Sequence, residues 1–357
     1  MFSSLHFYHL LKIKLLYIGK PFCSVSLGLI LCDNKVVSPL LIYNKKQKMS
    51  IERKKKMKDI FIENGERKFK LVPNIAVDSL GQETVTVGVE EVAQAMTPGY
   101  EVKFLVDPTK ILSGSEPIAD FQNLFEGFAQ KGTTKMSYYD TPDLALNNSG
   151  WTIRIRKKSN KIAQQCTFKK RYSKINKKST LTQGDVNKSV KSATREGFNT
   201  LTPFIGGCEI DYGFSKCTLS YSADYNIAET GKGNTDIPDS TTSIQFINTN
   251  KPAIFTEDLS NIREHGAVTL TTYEGTFKGI VAVALDVMTI KDELGSGTET
   301  ICEVTFKLED YTGVRYEKQT NLMLVNKLRE ELRAVLVEKG YLLEKDGLKT
   351  NMILQRY

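Results

Sequence analysis

Several stretches of the chain alternate apolar and polar residues with a period of two. Over Tyr100–Val106 the alternation puts Glu101 and Lys103 on one face of a strand, with Tyr100, Val102 and Phe104 on the other. Trp151–Arg156 repeats the pattern with Arg154 and Arg156, and Gln165–Lys169 repeats it with Thr167 and Lys169. Cys302–Glu309 places Glu303, Thr305, Lys307 and Glu309 together, while Ile280–Asp286 is an apolar run whose one charge reads as its end. A single strand of this kind is ordinarily half-exposed, with its charges in water. A set of them, each carrying Arg, Lys or a carboxylate on one face, predicts a barrel with a charged interior. The apolar outside of that barrel must then be covered by helices.

A 3.6-residue period predicts two such helices. One spans 117–130, with Phe121, Leu124, Phe125 and Phe128 on one face. The other spans 317–339, with Leu322, Val325, Leu328, Leu332 and Leu336 as its stripe and Gly340 as its stop. Thr141 before Pro142 reads as a helix N-cap. Residues 60–98 read as a lead-in, with a strand at 84–87 and a short helix near 89–96. Residues 207–250, rich in Ser, Thr, Asn, Asp and Gly, read as an insertion of irregular strands. The expected organisation is an N-terminal extension at 1–48, a lead-in at 49–96, a main domain at 97–343 and a tail at 344–357.

Charge changes this picture through its location. The chain has 357 residues and a formal charge of +8. Residues 1–60 hold twelve Lys/Arg against three Asp/Glu, which leaves 37 basic and 38 acidic residues for the rest. The body is neutral, so overall basicity names no partner. Inside it, Arg154–Arg195 holds fourteen Lys/Arg and one acid, Asp185, and the C-terminal part is acid-rich. That split predicts a site with a cationic wall and an anionic wall. The cationic groups would take phosphate oxygens, Arg bidentately and Lys as a point charge. The carboxylates would hold Mg²⁺ or Mn²⁺, which prefer oxygen ligands.

Other chemistries are disfavoured. The six cysteines have no metal-ligand spacing and there are only three histidines, which argues against zinc and against a His-activated nucleophile. Scattered cysteines in a chain of this size fit a reducing compartment, and the cytoplasm is the expected location. Pro21–Cys32 is uncharged but too short to span a membrane, which takes about twenty apolar residues. No small-residue cleavage site follows it. Residues 1–48 are therefore read as a poorly structured extension, with Met49 as the initiator. Nucleic-acid binding ranks last, because Arg154, Arg156 and Lys169 read as inward-facing and no aromatic platform accompanies the lysines.

Taken together, the motifs resemble the CYTH, or triphosphate tunnel metalloenzyme, family over about 97–343. The most specific stretch is Tyr138–Arg156, which reads Tyr-Tyr-Asp-Thr-Pro-Asp-Leu-Ala-Leu, then Gly-Trp-Thr-Ile-Arg-Ile-Arg. Thr167-Phe168-Lys169, Arg195-Glu196, Phe255-Thr256 to Arg263, Ala284-Leu285-Asp286 and Ile301-Cys302-Glu303-Val304 resemble its further segments. The resemblance implies an α+β fold built on an eight-stranded antiparallel β-barrel, a tunnel with flanking helices. It implies binding and metal-dependent hydrolysis of a triphosphate (inorganic, thiamine or nucleotide), or adenylyl-cyclase chemistry. Glu101 and Lys103 would be catalytic, and Arg154, Arg156, Lys169, Arg195 and Arg263 would bind substrate. Glu101, Glu196, Asp286 and Glu303 would hold the metal.

The sequence departs from the family at three points. The opening Glu-x-Glu-x-Lys reads Gly99-Tyr100-Glu101-Val102-Lys103, and Thr305 and Lys307 stand where the far strand repeats Glu. A thinner carboxylate wall holds metal less tightly, and a cation there attracts phosphate. A catalytically weakened module for triphosphate or polyphosphate is therefore the alternative. Glu309 is the residue that a one-step shift in register would restore as a ligand.

Overall fold

The computed structural model describes residues 9–15, 25–32, 35–42, 61–64, 67–77, 83–92, 96–176, 180–199, 206–308, 318–347 and 349–357. Two units are present, Met1–Gln94 and Ala95–Tyr357. In the first, His9–Leu15, Val25–Cys32 and Lys35–Ile42 form one antiparallel sheet. Phe61–Asn64, Arg67–Val77 and Glu83–Val92 form a second. The extension at 1–48 thus contains three strands rather than irregular chain. The helix expected near 89–96 is strand through Val92, in keeping with the valines at 85, 87, 89 and 92, which favour pleated backbone. Met49 lies outside the described residues.

In the second unit nine strands close into a barrel: β1 (Gly99–Val106), β2 (Glu126–Asp140), β3 (Trp151–Lys158), β4 (Ala163–Asn176), β5 (Gly206–Tyr212), β6 (Lys216–Glu229), β7 (Arg263–Phe277), β8 (Val281–Lys291) and β9 (Thr298–Leu308). Around the ring the order is β2-β3-β4-β6-β5-β1-β9-β8-β7. The expected eight antiparallel strands become nine, and β5 runs parallel to β1, with Asp211 opposite Glu101. Residues 207–250 are no insertion. They supply β5, β6 and a helix, because Cys208, Ile210, Tyr212, Leu219, Tyr221 and Ala223 alternate onto the buried outer face. Small polar residues between them hid that alternation.

The outer face carries the main core, which includes Val102, Phe104, Ile153, Ile155, Phe168, Val304 and Phe306, all buried. Helices α1 (Gln183–Arg195), α2 (Ser240–Asn250) and α3 (Lys318–Glu338) bring Val190, Ile247 and Leu328 to the same core. The five-residue stripe expected on α3 is buried throughout, and each such side chain contributes about 1.5–3 kcal/mol. Gly340, at φ 67°, ends that helix in the left-handed conformation a glycine adopts without strain. Arg329 is buried with α3, donating to the carbonyls of Gly213 and Phe214 and stacking 4.2 Å from the Tyr212 ring.

The helix expected over 117–130 reduces to one turn, Ala119–Gln122, before β2 begins. Gly127, at φ 63°, interrupts helical backbone, and β7 offers a pairing edge, with Ala129 opposite Glu274. The phenylalanines still cluster. Phe121 lies 5.6 Å from Phe125 and 6.0 Å from Phe128 between ring centres. The strand expected to end at Asp286 runs on to Lys291, so Asp286 sits mid-strand.

A candidate anion-binding tunnel

Because side chains alternate along a strand, the face opposite the core points into the barrel. The inner face of β1 presents Glu101, Lys103 and Leu105, and that of β9 presents Lys307, Thr305, Glu303 and Ile301. Cross-strand register sets Lys307 opposite Glu101, Thr305 opposite Lys103, and Glu303 opposite both Leu105 and Asp286. On the far side Arg154 faces Thr167 and Arg156 faces Gln165 across β3 and β4. The inner faces change character along their length. They are charged over one half and apolar over the other, where Leu105, Met136, Tyr138, Leu270, Met288 and Ile301 form a second cluster. Helix α4 (Lys349–Arg356), in the stretch read as a tail, joins that cluster through Ile353 and Leu354.

On the β1–β5–β9 side every described cation has a carboxylate partner. Lys103 lies 2.7 Å from Glu101 and 2.8 Å from Asp211, and Lys169, reaching over from β4, lies 3.2 Å from Asp211. Lys307 pairs with Glu209 at 2.5 Å and Lys349 with Glu303 at 2.8 Å. Burial opposes ionisation of Asp211 and Glu101, but the neighbouring lysines outweigh it. Asp211 is held well below the usual carboxylate range and Glu101 below its ordinary value. Burial likewise opposes charge on Lys103, yet Asp211 and Glu101 raise it well above the normal lysine value.

Apart from Lys169, the β3–β4 side is different. Arg154, Arg156, Lys158 and Arg171 crowd together without a carboxylate at ion-pair distance among the described residues. Arg156 Nε donates to Gln165 Oε1 of the side-chain amide at 2.7 Å, and Arg171 donates to the Thr152 hydroxyl. The Nε atoms of Arg154 and Arg171 are buried with no hydrogen-bond partner among the described residues. Burial, then repulsion from Arg156 and Arg154, lowers Lys158 to about 8. Burial and Arg154 similarly depress Arg156. Buried donors normally find acceptors, so this wall has the chemistry of a site awaiting anionic oxygens.

Of the residues nominated from sequence, Glu101, Lys103, Arg154, Arg156, Lys169, Asp286 and Glu303 line the barrel interior together. Arg195 and Glu196 sit exposed at the C-terminal end of α1, and Arg263 is exposed at the start of β7. Glu309 lies outside the described residues. The Asp140-Thr141-Pro142 piece is scaffold. The Asp140 carboxylate accepts from the backbone N–H groups of Thr141, Leu146 and Asn147 at 2.7–2.9 Å, holding the turn that leads into β3. The helical turn itself starts at Ala145, not Pro142, and the Thr141 hydroxyl accepts from the Ala145 N–H.

The carboxylates assigned to a metal do not gather into one centre. Glu196 is elsewhere, and Asp286 with Glu303 shares the single ammonium of Lys349. A different trio does converge: Glu101, Glu209 and Asp211 each bring an oxygen within 4.8 Å of the others. Their oxygens are the donors Mg²⁺ or Mn²⁺ prefer, though lysines already partner all three.

Sequence reasoning missed Glu209, Asp211, Lys158, Arg171 and Lys349. Lys158 and Arg171 were findable, since they continue the same alternation two residues beyond Arg156 and Lys169. Glu209 and Asp211 were lost with β5, and Lys349 lies in a helix too short to announce itself. Buried Cys166, Cys208 and Cys302 have their thiols pushed up to about 12 by burial, so none supplies a thiolate near neutral pH.

No family model and no curated protein matches the chain. Solved structures do. HpAC1 from Hippeastrum, described as an adenylyl cyclase candidate with a dominant triphosphatase activity, is 12% identical and covers 71% of this chain and 93% of its own, at a TM-score of 0.38. An adenylate cyclase candidate from Bacillus halodurans is 10% identical, covering 72% and 98%, at 0.37. The PH1819 protein from Pyrococcus horikoshii is 14% identical, covering 69% and 95%, at 0.33. These are distant likenesses, and the charged barrel interior itself carries the functional reading.

Proposed function

We propose that this chain binds a triphosphate-bearing anion inside the barrel, on the wall formed by Arg154, Arg156, Lys158 and Arg171. The observation that carries the reading is the imbalance between the two walls. The lysines of one are each paired with a carboxylate, and the other holds four half-buried cations, two of whose guanidinium Nε atoms are buried without a hydrogen-bond partner among the described residues. Several closely spaced cations suit a ligand with several linked phosphates, and guanidinium groups add planar, paired hydrogen bonds. The resemblance to the triphosphate tunnel family points to the same ligand class.

A second reading, hydrolysis of that ligand, is supported by the Glu101, Glu209 and Asp211 oxygens. Mg²⁺ or Mn²⁺ held there would neutralise phosphate oxygens, as such ions do in phosphoryl transfer. The chain's own part is to fix the anion against Arg154 and Arg156 and to keep it from bulk water. A reducing compartment such as the cytoplasm suits the free, buried thiols of Cys166, Cys208, Cys217 and Cys302.

Phosphate release from tripolyphosphate, ATP and thiamine triphosphate, with Mg²⁺ or Mn²⁺, separates the two readings. Turnover abolished by Asp211→Asn supports hydrolysis. Binding without turnover leaves the anion-binding function, and neither binding nor turnover with any of the three removes both.

A further inference from the structure

We propose that Lys349 is a tethered cation that stands in for a metal ion at Asp286 and Glu303, so that helix α4 keeps divalent metal off this pair. Asp286 and Glu303 sit directly opposite each other on β8 and β9. Left alone, two carboxylates this close and this enclosed would repel, which a proton held between them or a bridging cation relieves. The Lys349 ammonium supplies it, 2.5 Å from Asp286 Oδ2 and 2.8 Å from Glu303 Oε1. Asp286 also accepts from the Thr272 hydroxyl at 2.7 Å. The ammonium thus fills the position between the two carboxylates that an oxygen-seeking ion would take.

The helix holds this lysine in place. Where the inner faces turn apolar, Ile353 and Leu354 are buried against Leu105, Met288 and Ile301. Thr350 lies within 3.5 Å of the Tyr138 hydroxyl. At the rim Arg356 pairs with Glu299 and donates to the Lys291 carbonyl. Anchored at both ends, Lys349 competes intramolecularly and at high effective concentration, whereas a metal ion must arrive from solution. A cavity of ≈170 Å³, lined in part by Lys103, Asp211, Glu303, Asp346 and Asn351, borders the pair on the Glu303 side. Charge competition by the Lys349 ammonium is what keeps metal out.

The inference refines the metal part of the function proposed above, and its test contains no phosphate, so the two fail separately. Mn²⁺ is titrated into the full chain and the free ion is followed by its electron paramagnetic resonance signal. Lys349→Met is expected to bind Mn²⁺ at least tenfold more tightly than wild type, and Lys349→Arg to remain like wild type. Adding Glu303→Gln to Lys349→Met is expected to abolish the gain. A Lys349→Met protein no tighter than wild type, or a gain that survives Glu303→Gln, overturns the assignment. If Lys349→Met does not fold, Lys349→Gln, which can still donate hydrogen bonds, carries the same expectation, and the absence of a gain there overturns it equally.

Discussion

The two walls of the barrel carry similar numbers of cations and behave oppositely. On the β1–β5–β9 side, Lys103 and Lys307, with Lys169 reaching over from β4 and Lys349 from α4, are each within salt-bridge distance of a carboxylate. On the β3–β4 side, Arg154, Arg156, Lys158 and Arg171 have no carboxylate at ion-pair distance among the described residues, where their hydrogen-bond partners are neutral Thr and Gln and the nearest charges, such as Asp224 and Asp211, act only from further off. Charge count alone would treat them alike. Pairing separates a wall that stabilises the barrel from a wall whose desolvated charge is available to a ligand. A basic segment is therefore informative about binding only once its internal counterions are known.

Removing an unpaired arginine should have the largest effect. Arg154→Ala is expected to weaken tripolyphosphate binding on the order of 10²-fold, as loss of charged hydrogen bonds does, with thermal stability unchanged or slightly raised by relief of repulsion. Calorimetry with a melting curve measures both.

Asp140→Ala should do the reverse. Three backbone N–H groups lose their acceptor, one of them on buried Leu146, and stability should fall by about 2–3 kcal/mol in denaturant unfolding. Anion affinity of the folded protein should hold, since Asp140 is scaffold.

The pH dependence probes the crowded wall without mutation. Lys158 titrates near 8 when folded, against about 10.4 when unfolded. Anion affinity should therefore decline as pH rises through about 8. Over the interval up to the unfolded value the denatured chain holds a proton that the native chain lacks, so stability rises with pH there. Titrating Lys158→Met in parallel should remove both slopes.

The smallest effect is expected at Lys307, which is paired but 45% exposed. Lys307→Ala should change stability by less than about 1 kcal/mol and leave anion affinity within about threefold. A larger loss would erase the distinction between the walls.

Much of this architecture was legible in the chain. Strict alternation identified the inner faces of β1, β3, β4 and β9, because large apolar residues on one side make the period visible. It failed at β5 and β6, whose inner positions are Gly, Glu and Asp on β5 and Thr, Ser and Asp on β6 and whose composition imitates a loop. The Phe121–Phe128 spacing correctly foretold a cluster but not its backbone, since Gly127 and a waiting edge on β7 overrode helical periodicity. The cationic wall followed from local pattern. The pairing of the other wall did not, because it joins residues as far apart as Lys103 with Asp211 and Asp286 with Lys349, and only closure of the barrel brings them together.

The most direct test is a metal-free calorimetric titration of tripolyphosphate into wild type, Arg154→Ala and Lys307→Ala under identical salt. Saturable binding to wild type, nearly unchanged binding to Lys307→Ala and on the order of 10²-fold weaker binding to Arg154→Ala are the expected results. Absence of binding to wild type, or equal losses in the two variants, would contradict anion binding at the β3–β4 wall.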